Sequence, residues 1–202
     1  SRFQFAGLST VIDGVLGAQT LENFSVSVKQ TALADCLIVS KMDVAENYKS
    51  PQERIRNINS TAPIIFSSNG EMNPRLLPGF GDSKTTQFPV ISGEVHKPAH
   101  GDGIFEVSRA MEGPMDFRVF EKWVNQLHER YRGNLLRLKG IIHFEGQEAP
   151  SVIQAVQHIL YPLETVSFQS EGEIGRLVLI GQEISRHELV SSLEDLAQIA
   201  YH

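Results

Sequence analysis

Apolar positions fall into short, dense runs in the first third of this chain. In the second half they form longer alternating or helically spaced patterns. Residues 8–13 (LSTVID) are apolar and β-branched and stop at Asp13-Gly14, so they read as a buried strand. A helical stretch over about 20–33 follows and ends at Ala34-Asp35. CLIVS at 36–40 and PIIFS at 63–67 are further short apolar runs, of the kind that fill parallel sheets covered on both faces. Between them, Ser50-Pro51 reads as a helix N-cap with proline at the first helical position. Glu53 supports that start, and Ile55 and Ile58 give one apolar stripe through Asn59. Strand, helix, strand, helix, strand predicts a parallel α/β sheet with right-handed crossovers.

Residues 78–103 break the pattern with Pro78, Gly79, Gly81, Pro89, Gly93, Pro98, Gly101 and Gly103 among polar residues. This is turn and linker chemistry, and the domain boundary is placed there. One domain is expected over 1–80, a linker over 81–103 and a second domain over 104–202. Beyond the linker, IFEVSRAM (104–111) alternates as a strand with one exposed face. Phe117, Phe120, Trp123, Val124 and Leu127 have helical spacing. LLRLKGIIHFEG (135–146) predicts a long strand turning at Glu145-Gly146. For 151–160, periodicity leaves strand and helix both open. RLVLIG (176–181) is a strand, and a final helix over about 185–200 starts at a capping box of Ser185 and Glu188. The second domain is therefore α+β, with a mixed or antiparallel sheet and two helices.

Composition narrows the function classes. Hydrophobic content of 41% supports a buried core. A net charge of −6, with Lys and Arg scattered, argues against a nucleic-acid surface. No apolar run approaches the roughly 18 residues a membrane span requires, so neither partner is expected. Cys36 is the lone cysteine, which rules out an internal disulfide or a two-cysteine metal motif and makes a reducing cytoplasm the default location.

The segment with most chemical content is Ser40-Lys41-Met42-Asp43, directly after the CLIVS run. Ligands of open parallel sheets gather at the carboxyl ends of strands. A carboxylate there can accept two hydrogen bonds from adjacent N–H donors on a guanine edge, a pairing adenine cannot offer. The lysine stem can lie along the base while its ammonium reaches loop carbonyls. The bland alternative is a surface Lys–Asp turn. Ser67-Ser68-Asn69-Gly70 follows the next strand.

The ordered set Val11, Asp13, Gln30, Ala34, Asp35, Lys41 and Asp43 resembles the CobW family of metal-related P-loop GTPases. That family runs from a strand ending in Val-Asp-Ala to Asn/Thr-Lys-x-Asp; here Ser40 stands at its first position. Leu135–Gly140 resembles the family's Leu-Leu-Arg-x-Lys-Gly strand, and Val178–Gly181 its Val-x-Ile-Gly strand. The resemblance covers essentially the whole chain. It implies base contacts from Ser40, Lys41, Asp43, Ser67, Ser68 and Asn69. For the intact protein it implies GTP and Mg²⁺, zinc or cobalt as metal, a metal-receiving client protein, and a role in metal trafficking or cobalamin synthesis. No G-x-x-x-x-G-K followed by Ser or Thr occurs, nor the family's Cys-x-Cys-Cys motif. Both lie upstream in that family. The expectation is the back part of a GTPase sheet missing its N-terminal strands, whether by truncation, proteolysis or a shortened gene. Such a chain has no resident phosphate-loop chemistry and should not hydrolyse GTP alone. An exposed sheet edge with possible self-association is also expected.

Other residues have plainer readings. Asp13 and Asp35 suit turn capping, and Gln30 a helix surface. His96 and His100 are weak metal candidates: with Asp102 they supply at most three ligands. His143 reads as packed or solvent-facing, Arg137 and Lys139 as cations on the solvent face of a sheet, and Cys36 as a small buried hydrophobe. The rival function is a non-catalytic protein-interaction module that binds no nucleotide.

Overall fold

β1 (Ser9–Asp13), β2 (Cys36–Ser40) and β3 (Ile64–Phe66) form a parallel sheet in that order, with β2 at its centre. The computed structural model describes residues 6–45, 49–79, 103–157, 159–165 and 175–201; His96, His100 and nearly all of the expected linker fall outside them. The chain divides between Asp102 and Gly103 into two compact units.

In the first unit the apolar run of β2 is buried on both faces, as its central position requires. Cys36, Ile38 and Ile65 pack under Met72 and Leu77 on one side. β1 corrects the expectation of a buried strand. Among the described residues its only neighbour is β2 and only one of its faces is covered: Ile12 is buried while Val11 is 63% exposed. The expected single helix over 20–33 is two helices, α1 (Gly17–Asn23) and α2 (Ser25–Leu33), parted by an extended Phe24 (φ −130°, ψ 106°). Asn23, Phe24 and Ser25 are three consecutive residues of modest helix propensity, which makes this the weakest point of the stretch. α3 (Lys49–Ile58) presents buried Ile55 and Ile58, and Arg54 reaches Glu22 of α1 at 3.2 Å.

α3 runs into a buried polar hub. The Asn59 side chain is inaccessible. Its Nδ2 donates to the carbonyls of Thr31 (2.9 Å) and Ala34 (3.0 Å) at the end of α2. Its Oδ1 accepts from the Thr61 amide (3.2 Å), the Thr61 hydroxyl (3.1 Å) and the Ala62 amide (3.0 Å). One amide therefore satisfies carbonyls at a helix terminus and ties them to the turn entering β3.

The second unit is an antiparallel sheet. β4 (Ile104–Ala110), β9 (Arg176–Gln182), β5 (Leu135–Ile142), β6 (Ser151–Val156) and β7 (Ile159–Leu160) lie in that order, with β8 (Glu164–Thr165) also on β6. Thus 151–156 and 159–160 are strand, and β5 stops at Ile142, short of the turn at Glu145-Gly146. α4 (Phe117–Tyr131) and α5 (Arg186–Tyr201) supply Phe120, Trp123, Leu127, Leu189, Leu193 and Leu196 to the core against β5 and β9. The capping box forms: Glu188 N donates to Ser185 Oγ (3.2 Å), and Ser185 N donates to Glu188 Oε2 (3.1 Å).

Arg137 and Lys139 depart from the solvent-face expectation, being 2% and 5% exposed. A register shift between Leu135 and Arg137 lets Leu135 and Leu138, three residues apart, both enter the core. The two cations take the other face beside their register partners Ile180 and Val178, which are also buried. This sheet is buried on both faces, where a charge pattern alone suggests one wet side.

Candidate functional site

Three strand ends meet at one edge of the first sheet, because parallel strands all finish on the same side. They are laced together outside the regular ladder. Gly14 N donates to the Ser40 carbonyl at 2.8 Å, and Ser40 Oγ to the Ile12 carbonyl at 3.3 Å. A Cβ at Gly14 would collide with the Ser40 carbonyl oxygen, so only glycine permits this approach. Met42 N donates to the Ser67 carbonyl at 3.1 Å, joining the ends of β2 and β3.

The residues after β3 form a tight hairpin. Asn69 and Gly70 have φ of 53° and 78°, and Glu71 N donates to the Ser68 carbonyl at 2.9 Å. Positive φ at both central positions, with the Asn-Gly pair that favours it, describes a type I′ turn. The turn aims the Asn69 amide at Asp43, whose Oδ1 accepts it at 2.9 Å. Ser67 is buried, while Ser68 and Asn69 are exposed. The segments 40–43 and 67–69, widely separated in sequence, therefore converge, with Asp43 at their junction.

Lys41 differs from its expected pose. Its ammonium goes to a carboxylate and not to loop carbonyls: Nζ lies 2.7 Å from Asp13 Oδ2. Asp13 Oδ1 meanwhile accepts from Val15 N (2.8 Å) and Leu16 N (3.0 Å), the turn-capping role expected for it. Asp13 thus joins a turn cap to an ion pair. The pair was hidden in the sequence because its members are separated by two helices and a strand. Asp35 ties down the chain before β1 by accepting Leu8 N at 2.9 Å. Gln30 is exposed. His143 Nε2 lies 2.8 Å from the Gln147 carbonyl. Among the described residues no group of three or more His, Cys, Asp or Glu side chains is placed to hold a metal ion, and no helix is long and apolar enough to cross a membrane.

The Lys41 ammonium, followed by the Leu16 amide, holds the Asp13 carboxyl below its usual range, against a smaller opposing effect of burial. Hydrogen bonding to Asp13 likewise raises Lys41. A depressed carboxylate stabilises the fold above its unfolded pKa, about 3.9, and that contribution vanishes as pH falls through the lower folded value. The raised lysine contributes below about 10.4 and loses its effect as pH climbs through its folded value. Asp13→Asn keeps the turn-capping oxygen and removes the charge. In paired urea titrations it should unfold at lower urea than the parent from pH 5 to 9. The gap should begin to narrow at about pH 4, where the unfolded carboxyl protonates, and close as pH falls through the lower folded value. A gap unchanged down to pH 2 would show the ion pair to be irrelevant to stability.

Residues 106–197 match the model of the cobalamin synthesis protein cobW C-terminal domain. The second unit thus carries a CobW C-terminal domain. The chain is 22% identical over 202 residues to the zinc chaperone YjiA of Escherichia coli (strain K12), covering 96% of itself and 62% of that protein. Its fold is similar to that of the crystal structure of the Zn(II)-bound YjiA GTPase from E. coli, with a TM-score of 0.72 at 21% identity and the same coverage of 96% and 62%. A Zn(II)-bound triple mutant of the YjiA GTPase gives a TM-score of 0.72 at 20% identity. The chain thus spans 62% of the length of the relatives it matches.

Proposed function

We propose that the first unit of this chain carries the guanine-reading corner of a GTP-binding protein engaged in zinc or cobalt trafficking or cobalamin synthesis. The observation that carries the reading is the junction of Asp43 with the Asn69 turn at the carboxyl ends of β2 and β3. A carboxylate has about four lone-pair sites, so Oδ1 can hold the Asn69 amide while both oxygens face a pair of N–H donors. Guanine presents such a pair; adenine does not. Ser40, Lys41, Ser67 and Ser68 flank this position. The described residues fit a base and do not fit the rest of the nucleotide. The sequence has no phosphate-loop motif, and the described residues include no carboxylate or histidine cluster for Mg²⁺ or cargo metal. Phosphate, Mg²⁺ and metal would be held by parts of a longer protein, with the C-terminal unit facing a metal-receiving client or a regulator. Its single buried cysteine suits the reducing cytoplasm.

A non-catalytic interaction module is the second reading, favoured by the β1 edge, unpaired among the described residues, and by exposed Leu8 and Val11. That edge also supplies a route to self-association. Guanosine separates the two readings. In a ¹H–¹⁵N titration, amides of 40–44 and 67–70 should shift with guanosine at millimolar concentration and respond far less to adenosine. Equal responses to both nucleosides, or none, would reject base recognition.

A further inference from the structure

We propose that Asp13 is a positioning residue of the base site. It holds the Lys41 ammonium so that the lysine offers its methylene stem, and not its charge, to the ligand. The inference rests on the base-recognition reading above.

Three observations carry it. The carboxylate is fixed at its other oxygen by the Val15 and Leu16 amides, so Asp13 Oδ2 is a rigid anchor and not a chance surface partner. Asp13 and Lys41 sit at the ends of adjacent strands stapled by Gly14 N to the Ser40 carbonyl and Ser40 Oγ to the Ile12 carbonyl, which fixes the pair's spacing. Lys41 also adopts φ of 58°, a left-handed conformation that a non-glycine residue keeps only where its surroundings enforce it. Surface ion pairs are individually weak, so this pair acts chiefly by placement and adds only a small increment to stability. Its chemical consequence is specific. A lysine neutralised by a carboxylate at 2.7 Å attracts a phosphate little, whereas its stem can cover the flat face of a neutral base. The site therefore reads the base alone and leaves the phosphates to other groups.

The test compares guanosine and GMP binding to the full chain by ¹H–¹⁵N titration, in the parent, Asp13→Asn, Lys41→Met and the double variant. Asp13→Asn frees the ammonium and its rotamers. Guanosine affinity should fall about three- to tenfold. The GMP-to-guanosine affinity ratio should rise about threefold or more, as an unpaired cation now attracts the phosphate. Lys41→Met should lose guanosine affinity similarly without raising the ratio. The double variant should match Lys41→Met, since the partners act as one unit. A purely structural Asp13 would weaken both ligands alike and leave the ratio unchanged, which overturns the proposal. So does unchanged guanosine affinity in Asp13→Asn. Should Asp13→Asn fail to fold by circular dichroism, Lys41→Met decides alone: parental guanosine affinity in it refutes the idea. A parent chain that does not prefer guanosine over adenosine rejects the base reading itself, and this proposal with it. That outcome is distinct from a parent that binds guanosine but ignores Asp13.

Discussion

Replacing Asn59 by leucine is expected to unfold the first unit. The two side chains have the same number of heavy atoms and the same branching, but leucine is bulkier, so the change removes the polar contacts and adds some overpacking. It removes both donors from the Thr31 and Ala34 carbonyls and the acceptor of the Thr61 and Ala62 amides and the Thr61 hydroxyl. Thr31, Asn59, Thr61 and Ala62 are all buried, so water cannot readily replace what is lost. Each buried group left unpaired costs about 1–3 kcal/mol. Some will relax toward neighbours, which brings the expected loss to about 3–5 kcal/mol, comparable to the stability of a small unit. The second unit has its own core from α4, α5, β5 and β9. Amide spectra of Asn59→Leu should therefore collapse over 6–79 while signals from 103–201 stay dispersed. A loss under about 1 kcal/mol in urea titrations would show that Asn59 is not the hub its contacts describe.

Asn59 also shows where sequence reading stops. The chain announces it as the end of a helical stripe, which is true but misses the hydrogen bonds to the end of α2 and the following turn. Local signals were read well. CLIVS is a central strand because a continuous apolar run can be buried on two faces. The Ser185–Glu188 pair is a capping box because its partners are three residues apart. The 117–131 helix is set by its own apolar spacing. What failed were properties decided by distant neighbours. Val11 is exposed because nothing among the described residues covers its face of β1, which no pattern within 8–13 can reveal. The break at Phe24 interrupts a stretch whose helical pattern continues across it. Arg137 and Lys139 are buried because their register partners on β9 are buried too. At the candidate site, the strand-end position of Ser40–Asp43 was legible, and the Asn69-Gly70 pair could have been read as a type I′ turn. The diversion of Lys41 to Asp13 could not, since it depends on strand order.

The second large effect concerns the base itself. Asp43→Asn should change which purine the site prefers. The asparagine Oδ1 can still accept the Asn69 amide and one base N–H, while its Nδ2 now donates where the carboxylate accepted. Xanthine carries an acceptor at the position of the guanine amino group, so it becomes the complementary partner. Guanine then faces donor to donor. A hydrogen bond to a charged group contributes about 1.5–3 kcal/mol, which sets the scale at tenfold or more in affinity.

The ratio of guanosine to xanthosine affinity, measured by titration of the 40–44 and 67–70 amides in the parent chain and in Asp43→Asn, is the most direct test of Asp43 as the base reader. The parent should favour guanosine by about tenfold or more, and the variant should favour xanthosine. A ratio that is the same in both chains would remove Asp43 from the site and return 40–43 to an ordinary surface turn.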